Sequence, residues 1–138
     1  MMQRPLIVMF LAALAAMPAA NAAPRDDILA GYAAQAKADD AAFGGFSATR
    51  GEALYRDRHG GGKPDTSSCT SCHGDKTRAA GRTPVGKAID PVAVSVAPTR
   101  YTEPAKVEKW FRRNCREVLG RECTAREKGD WLAFMMTQ

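Results

Sequence analysis

The sequence predicts an all-α fold. Four segments carry apolar residues at helical spacing, and each has its own start or stop signals. The one candidate strand, Val92 to Val96, has no evident partner nearby. At 138 residues the chain has room for one domain.

The elements follow in order. Met1 to Arg4 form a short basic start, and Pro5 to Ala16 is mostly apolar. Ala20-Asn21-Ala22 is a small-residue cleavage site, so residues 1–22 read as a secretory signal peptide. The apolar run falls short of the roughly 20 residues that span a bilayer. The mature protein is therefore expected in the periplasm, with no membrane span and in a compartment where disulfides persist. This excludes a large enzyme, a multidomain protein and a polytopic membrane protein, and it makes nucleic acid an improbable partner. Residues 23–46 read as an N-terminal helix and linker. Asp26-Asp27 opens the helix, Ile28, Leu29, Tyr32 and Ala36 share one face, and Gly44-Gly45 marks the linker.

Residues 47–138 form the main domain. Ser47 is placed to N-cap a helix through about Tyr55. Gly60-Gly61-Gly62 and Pro64 break the chain. Residues 75–101 show no sustained period, being punctuated by Pro84, Pro91 and Pro98. So long an irregular stretch is uncommon in a compact domain, and it reads as a segment that wraps something. A helix starts near Thr102 and Pro104, runs to Leu119 and stops at Gly120. Thr124 and Glu127 have capping-box spacing for a last helix carrying Trp131, Leu132, Phe134 and Met135.

Aromatic residues make up only 7% of the chain, little for a domain that builds its own core. A bulky apolar cofactor would help, and Cys69-Thr70-Ser71-Cys72-His73 names one. C-x-x-C-H is the attachment sequence of c-type haem. Two thiols three residues apart share one helical turn and can bond the two vinyl groups on one porphyrin edge. His73 is then held where its ring can reach the iron. Three other uses compete. A thioredoxin-like C-x-x-C needs a βαβ pattern, which is missing. A zinc site using Cys69, Cys72, Cys115 and Cys123 lacks the usual pair of close knuckles. A Cys69–Cys72 disulfide would be strained.

The iron's other face needs a separate account. Beyond residue 22 the only methionines are Met135 and Met136, on the terminal helix. His59 is the obvious second imidazole, but it lies beside the proximal segment, which favours a solvated surface histidine. On the helix from Lys106 to Leu119, stepping about 100° per residue brings Val107, Trp110, Phe111, Asn114, Cys115 and Val118 onto one face. Asn114 is the strongly polar residue of that face. A buried amide without partners costs about 1–3 kcal/mol, so haem iron, a loop carbonyl or a turn toward solvent must satisfy it. The opposite face carries Lys106, Lys109, Arg112, Arg113 and Arg116. That face is either simply solvated or a docking patch for an acidic redox partner. Cys115 and Cys123 bracket the turn at Gly120 and are expected to pair.

Gly51-Glu52-Ala53-Leu54-Tyr55 resembles the N-terminal helix of class I cytochromes c, which crosses the C-terminal helix at a glycine. More specific stretches are Gly61 to Thr66, Cys69 to Gly74, Val107 to Trp110 running into Arg113-Asn114-Cys115, Gly120 to Thr124, and Glu127 to Asp130. On these, residues 26–138 resemble the SHP-type (sphaeroides haem protein) monohaem c-type cytochromes. The resemblance implies a class I-like helical domain around one covalent haem c, bound through Cys69, Cys72 and His73. It implies Asn114 as the distal ligand of the oxidised iron, released on reduction so that dioxygen, nitric oxide or carbon monoxide can bind. It implies a Cys115–Cys123 disulfide and a dihaem or other c-type cytochrome as electron donor. His59 is outside the family pattern. Two alternatives stay open: an ordinary electron-transfer cytochrome closed by His59 or Met135, and a peroxidase-like or nitric-oxide-reducing haem enzyme.

Overall fold

The core is organised by one close helix crossing. A computed structural model describes residues 24–138. The expected signal peptide, residues 1–22, lies outside the described residues. The helices are α1 (Pro24–Asp39), α2 (Ala48–Arg56), α3 (Thr70–His73), α4 (Pro104–Leu119) and α5 (Ala125–Thr137), with a 3-10 turn at Pro64–Thr66. The architecture is all-α, as expected. None of the described helices is long and apolar enough to cross a membrane.

Helix α2 crosses α5 at Gly51. A Cβ there would lie 2.0 Å from the Asp130 carbonyl oxygen and 2.9 Å from Phe134 Cβ, so only glycine lets the backbones approach this far. One turn on, the Tyr55 ring packs against Trp131 (centroids 5.5 Å) and Phe134 (5.8 Å). The start of α2 is fastened by Asp130, which is 3% exposed. Its carboxylate accepts from the Ser47 N–H at 2.7 Å and from Arg50 Nε at 2.7 Å. The Ser47 side chain caps the helix, as expected, by accepting from Arg50 N at 3.2 Å. Thr124 and Glu127 form the expected capping box at the start of α5.

Helix α1 reaches the same core through Ile28, Tyr32 and Ala36. Tyr32 packs edge-on against Phe111 of α4 at 6.1 Å and donates to the Glu108 carboxylate. Lys128 of α5 meets the other Glu108 oxygen at 2.8 Å, so one carboxylate joins three helices.

The candidate strand is not realised, and one expectation needs correction. Val92 to Val96 does not form a strand. Residues 94–96 make a turn, and the described ladder is Gly81–Arg82 (β1) paired antiparallel with Ala88–Ile89 (β2). The segment is ordered by backbone ties to its surroundings. Val92 and Ala93 N–H both donate to the Thr77 carbonyl at 3.0 Å, and Val94 N–H to Met135 O at 3.0 Å. Arg25 of α1 holds the carbonyls of Pro98 (2.6 Å) and Arg100 (3.1 Å). A strand's period cannot develop where neighbours claim these groups one by one.

The buried stripe of α4 is also narrower than expected. Val107, Phe111, Cys115 and Val118 are buried, whereas Trp110 and Asn114 are exposed on its flank. At about 100° per residue those four centre close to Phe111. Trp110 and Asn114 lie on one side of that centre, beyond Val107.

Candidate haem site

The motif is short, half-buried and held from both ends. The His73 N–H donates to Cys69 O at 3.1 Å and the Gly74 N–H to Thr70 O at 2.9 Å, closing the single turn of α3. Gly74 ends it with a φ of 71°. The Tyr55 hydroxyl donates to the Gly74 carbonyl at 2.5 Å, so the α2–α5 crossing also anchors the motif. On the other side β1 lies against it. A Cβ on Gly81 would sit 2.2 Å from Cys72 O and 2.8 Å from His73 Cα.

Cys69 and Cys72 are both free and partly buried. Burial pushes the Cys69 thiol up to about 12 and raises Cys72 as well. Both are neutral S–H groups at ordinary pH, the form that can add across a vinyl double bond. A zinc ligand must be a thiolate, and the four-cysteine zinc reading fails besides, because Cys115 and Cys123 are bonded to each other. No cluster of three or more His, Cys, Asp or Glu suited to a metal ion occurs among the described residues.

His73 has the complementary chemistry. Burial, with a contribution from the Arg100 charge, lowers its imidazole to about 4. The ring is neutral above that pH and keeps a lone pair for a metal. Its Nδ1 is buried without a protein partner. The Trp131 ring stands edge-on, centroids 6.3 Å away. A buried neutral imidazole with an unsatisfied nitrogen, beside two free thiols on one turn, fits a covalently attached haem.

The candidates for the other face are placed differently from one another. His59 is half-buried, and its Nε2 lies 3.0 Å from the Leu54 carbonyl in the last turn of α2. Its own N–H donates to Ser67 O at 2.6 Å. These bonds make it a cap of α2. Met135 is 0% exposed within the hydrophobic core. The Asn114 side-chain amide is exposed and makes no hydrogen bond with any described residue, so the loop-carbonyl partner is not found and the turn toward solvent is.

The helix carrying Asn114 is fixed at its C-terminal end. Cys115 and Cys123 form a disulfide, with Cα atoms 5.6 Å apart. The Gly61 and Gly62 backbone lies against the carbonyls of Leu119 and Glu117, and the Lys63 N–H donates to Glu117 O at 2.8 Å. Gly120, at a φ of 71°, ends the helix there. Replacing Cys115 and Cys123 together with Ser is expected to cost about 2.5 kcal/mol in urea unfolding and to raise the high-spin fraction of the oxidised protein. Alkylation without reduction should leave both cysteines unmodified; two modified thiols would remove the disulfide.

Three contributors escaped sequence reasoning. Arg100 acts on His73 through space, and nothing in the local sequence marks it. Tyr101 adopts a φ of 62°, uncommon outside glycine, and its hydroxyl bridges Trp131 Nε1 (3.3 Å) and Val92 O (3.0 Å). Gly81, within the stretch that shows no sustained period, is a close-packing site against Cys72 and His73.

Comparison with known proteins points the same way. A protein family described as "Domain of unknown function (DUF1924)" matches residues 41–135. The chain is 49% identical over 111 residues to Cytochrome c-type protein SHP of Cereibacter sphaeroides, covering 80% of this chain and 81% of that protein. It superposes on oxidized SHP, described as an oxygen binding cytochrome c, with a TM-score of 0.76 and 46% identity over 83% of this chain and 96% of that one. It also superposes on the solution structure of Methylophilus methylotrophus cytochrome c'', whose description concerns haem-ligand detachment. There the TM-score is 0.71, with 27% identity over 83% and 93% of the two chains. With its C-x-x-C-H turn, its glycine crossing and 49% identity over 111 residues to the Cereibacter sphaeroides protein, the chain belongs to the SHP family of c-type cytochromes and carries one covalent haem c.

Proposed function

We propose that this is a periplasmic monohaem cytochrome that accepts an electron and then binds a small diatomic molecule on the distal side. Cys69 and Cys72 tether the haem through thioethers, His73 is the proximal ligand and Asn114 the distal one. Residues 1–22 direct export, and the electron comes from a dihaem or other c-type cytochrome. The observation that carries the reading is Asn114 itself: an uncharged amide with no hydrogen bond to any described residue, on a helix pinned by a disulfide and by backbone packing.

When bound, the haem supplies a one-electron iron centre that takes dioxygen, nitric oxide or carbon monoxide where a face is free. The chain decides when it is free. An amide oxygen is a hard, neutral, weak donor that suits the oxidised metal better than the reduced one. A methionine thioether would do the reverse, and Met135 is packed in the core. The haem stays tethered through two thioethers, so a weak distal ligand can leave without loss of the cofactor. The descriptions of the two relatives, oxygen binding in one and haem-ligand detachment in the other, support this assignment. His59 caps α2, which argues against an acid–base role of the peroxidase kind.

Protein made with a haem-attachment system should have the mass of the chain lacking residues 1–22 plus one haem, held on a peptide containing Cys69 and Cys72. Its oxidised optical spectrum should be six-coordinate, and its reduced spectrum should shift on adding carbon monoxide. A bare polypeptide mass sinks the attachment assignment. A reduced spectrum indifferent to carbon monoxide returns the chain to a closed electron-transfer cytochrome.

A further inference from the structure

We propose that the outward face of α4 is the docking surface of an acidic electron-donor protein, centred on the Trp110 indole and held by Lys109, Arg112 and Arg113. The inference rests on the reading that the chain accepts electrons.

Lys106, Lys109, Arg112, Arg113 and Arg116 are all exposed along one side of α4. The acids of the helix are committed elsewhere: Glu108 to Tyr32 and Lys128, Glu117 to Lys63 at 3.3 Å. Lys106 and Arg116 have carboxylates of their own, Glu103 at 3.3 Å and Glu122 at 2.6 Å. Lys109, Arg112 and Arg113 pair with no carboxylate among the described residues. Like charges one turn apart repel, and a partner's carboxylates would relieve the repulsion.

Amid these charges lies an apolar ring. Trp110 is 45% exposed, with Lys109 Nζ 5.8 Å and the Arg113 guanidinium carbon 5.6 Å from its centroid. Tryptophan and arginine are the residues most enriched where binding energy concentrates. The face also carries a shallow, open groove of about 510 Å³ between α4 and Lys63, lined by cations apart from Glu117. A groove of this kind takes protruding Asp and Glu side chains of a folded protein. One indole gives no run of stacking platforms for nucleic acid bases, and the carboxylates of an acidic protein match the unpaired cations one for one. Trp110 is also one helical turn from Asn114, so a donor seated here delivers its electron beside the proposed distal ligand.

The test is the rate at which reduced flavodoxin, a small one-electron donor with a strongly acidic surface, reduces the oxidised holoprotein in stopped flow. Hydroquinone serves as a neutral reductant. The Lys109→Glu/Arg112→Glu/Arg113→Glu protein should react about tenfold more slowly with flavodoxin at low salt and lose most of its salt dependence. Its rate with hydroquinone should match the wild type, showing that haem and fold are intact. Reversing Lys37, Arg58 and Lys87, exposed cations elsewhere, changes the net charge equally and should move the flavodoxin rate less than about threefold. Trp110→Ala should slow flavodoxin while keeping the wild-type salt slope. Equal flavodoxin rates for the two charge-reversed proteins would overturn the surface. So would charge-dependent binding of this face to phosphatidylglycerol vesicles with no effect on the flavodoxin rate, which would make it a membrane contact. If neither reductant reduces the wild type, the electron-acceptance reading falls first and the docking surface with it.

Discussion

Replacing Asn114 with Ala is expected to convert the oxidised protein to a high-spin or water-ligated spectrum. The substitution removes the proposed protein ligand on that face, and solvent or an added anion takes the position. If the amide occupies the iron more than nine-tenths of the time, removing it raises azide and cyanide affinity by about tenfold or more, because the competent fraction is no longer small. Carbon monoxide affinity of the reduced protein should stay within about twofold, since that state is already open. The alternative is equally definite. Asn114 is exposed and bonds no described residue, so as a solvated surface amide its loss would shift stability by no more than about 0.5 kcal/mol. The oxidised spectrum would then be unchanged, and that result would end the distal-ligand assignment. Absorption spectra and anion titrations of both proteins decide it.

Gly51→Val is expected to be the most damaging single change to the fold. Helix propensity alone sets the opposite expectation, since a glycine inside a helix costs about 0.5–1 kcal/mol relative to Ala. Sterics win here. The added Cβ would meet the Asp130 carbonyl oxygen at 2.0 Å, and that atom belongs to the backbone of the facing helix. The helices must part, separating Tyr55 from Trp131 and Phe134 and loosening the hydroxyl that holds Gly74. Overpacking costs about 1–3 kcal/mol, and a clash with facing backbone, which has no rotamer to move, sits at the upper end. Urea unfolding of the holoprotein should show this loss, with Gly51→Ala intermediate. Gly31 of α1 is the internal control: a Cβ added there would meet nothing within 4 Å. Gly31→Ala should therefore gain about 0.5–1 kcal/mol. A Gly51→Val protein as stable as the wild type would mean that α2 and α5 do not cross this closely.

Much of the site was legible because its signals are local. C-x-x-C-H works through the spacing of one helical turn. The boundaries of α2, α4 and α5 were readable because Ser47, Gly120 and the Thr124–Glu127 pair act on backbone groups within a few residues of themselves. The disulfide needed only two cysteines on either side of one turn. Asn114 stood out because it interrupts an apolar pattern, although that pattern placed it deeper than it lies.

The sequence by itself determined the class of the protein: its helices and their ends, the haem attachment turn, and the polar residue among the apolar positions of α4. Only the tertiary structure decided what surrounds them. It turned His59 onto the Leu54 carbonyl, buried Met135, exposed Trp110 and Asn114 on the flank of α4, and brought Arg100 toward His73. At the candidate strand, Val92 to Val96, it gave instead a chain held by Thr77, Met135 and Arg25. The reason is the reach of the interactions. Caps, turns and thiol spacing operate over about one helical turn, and residue order records them directly. Burial, the neutral state of His73 and the backbone contact at Gly51 arise between segments as far as about 80 residues apart or more, where only the packed chain brings the partners together.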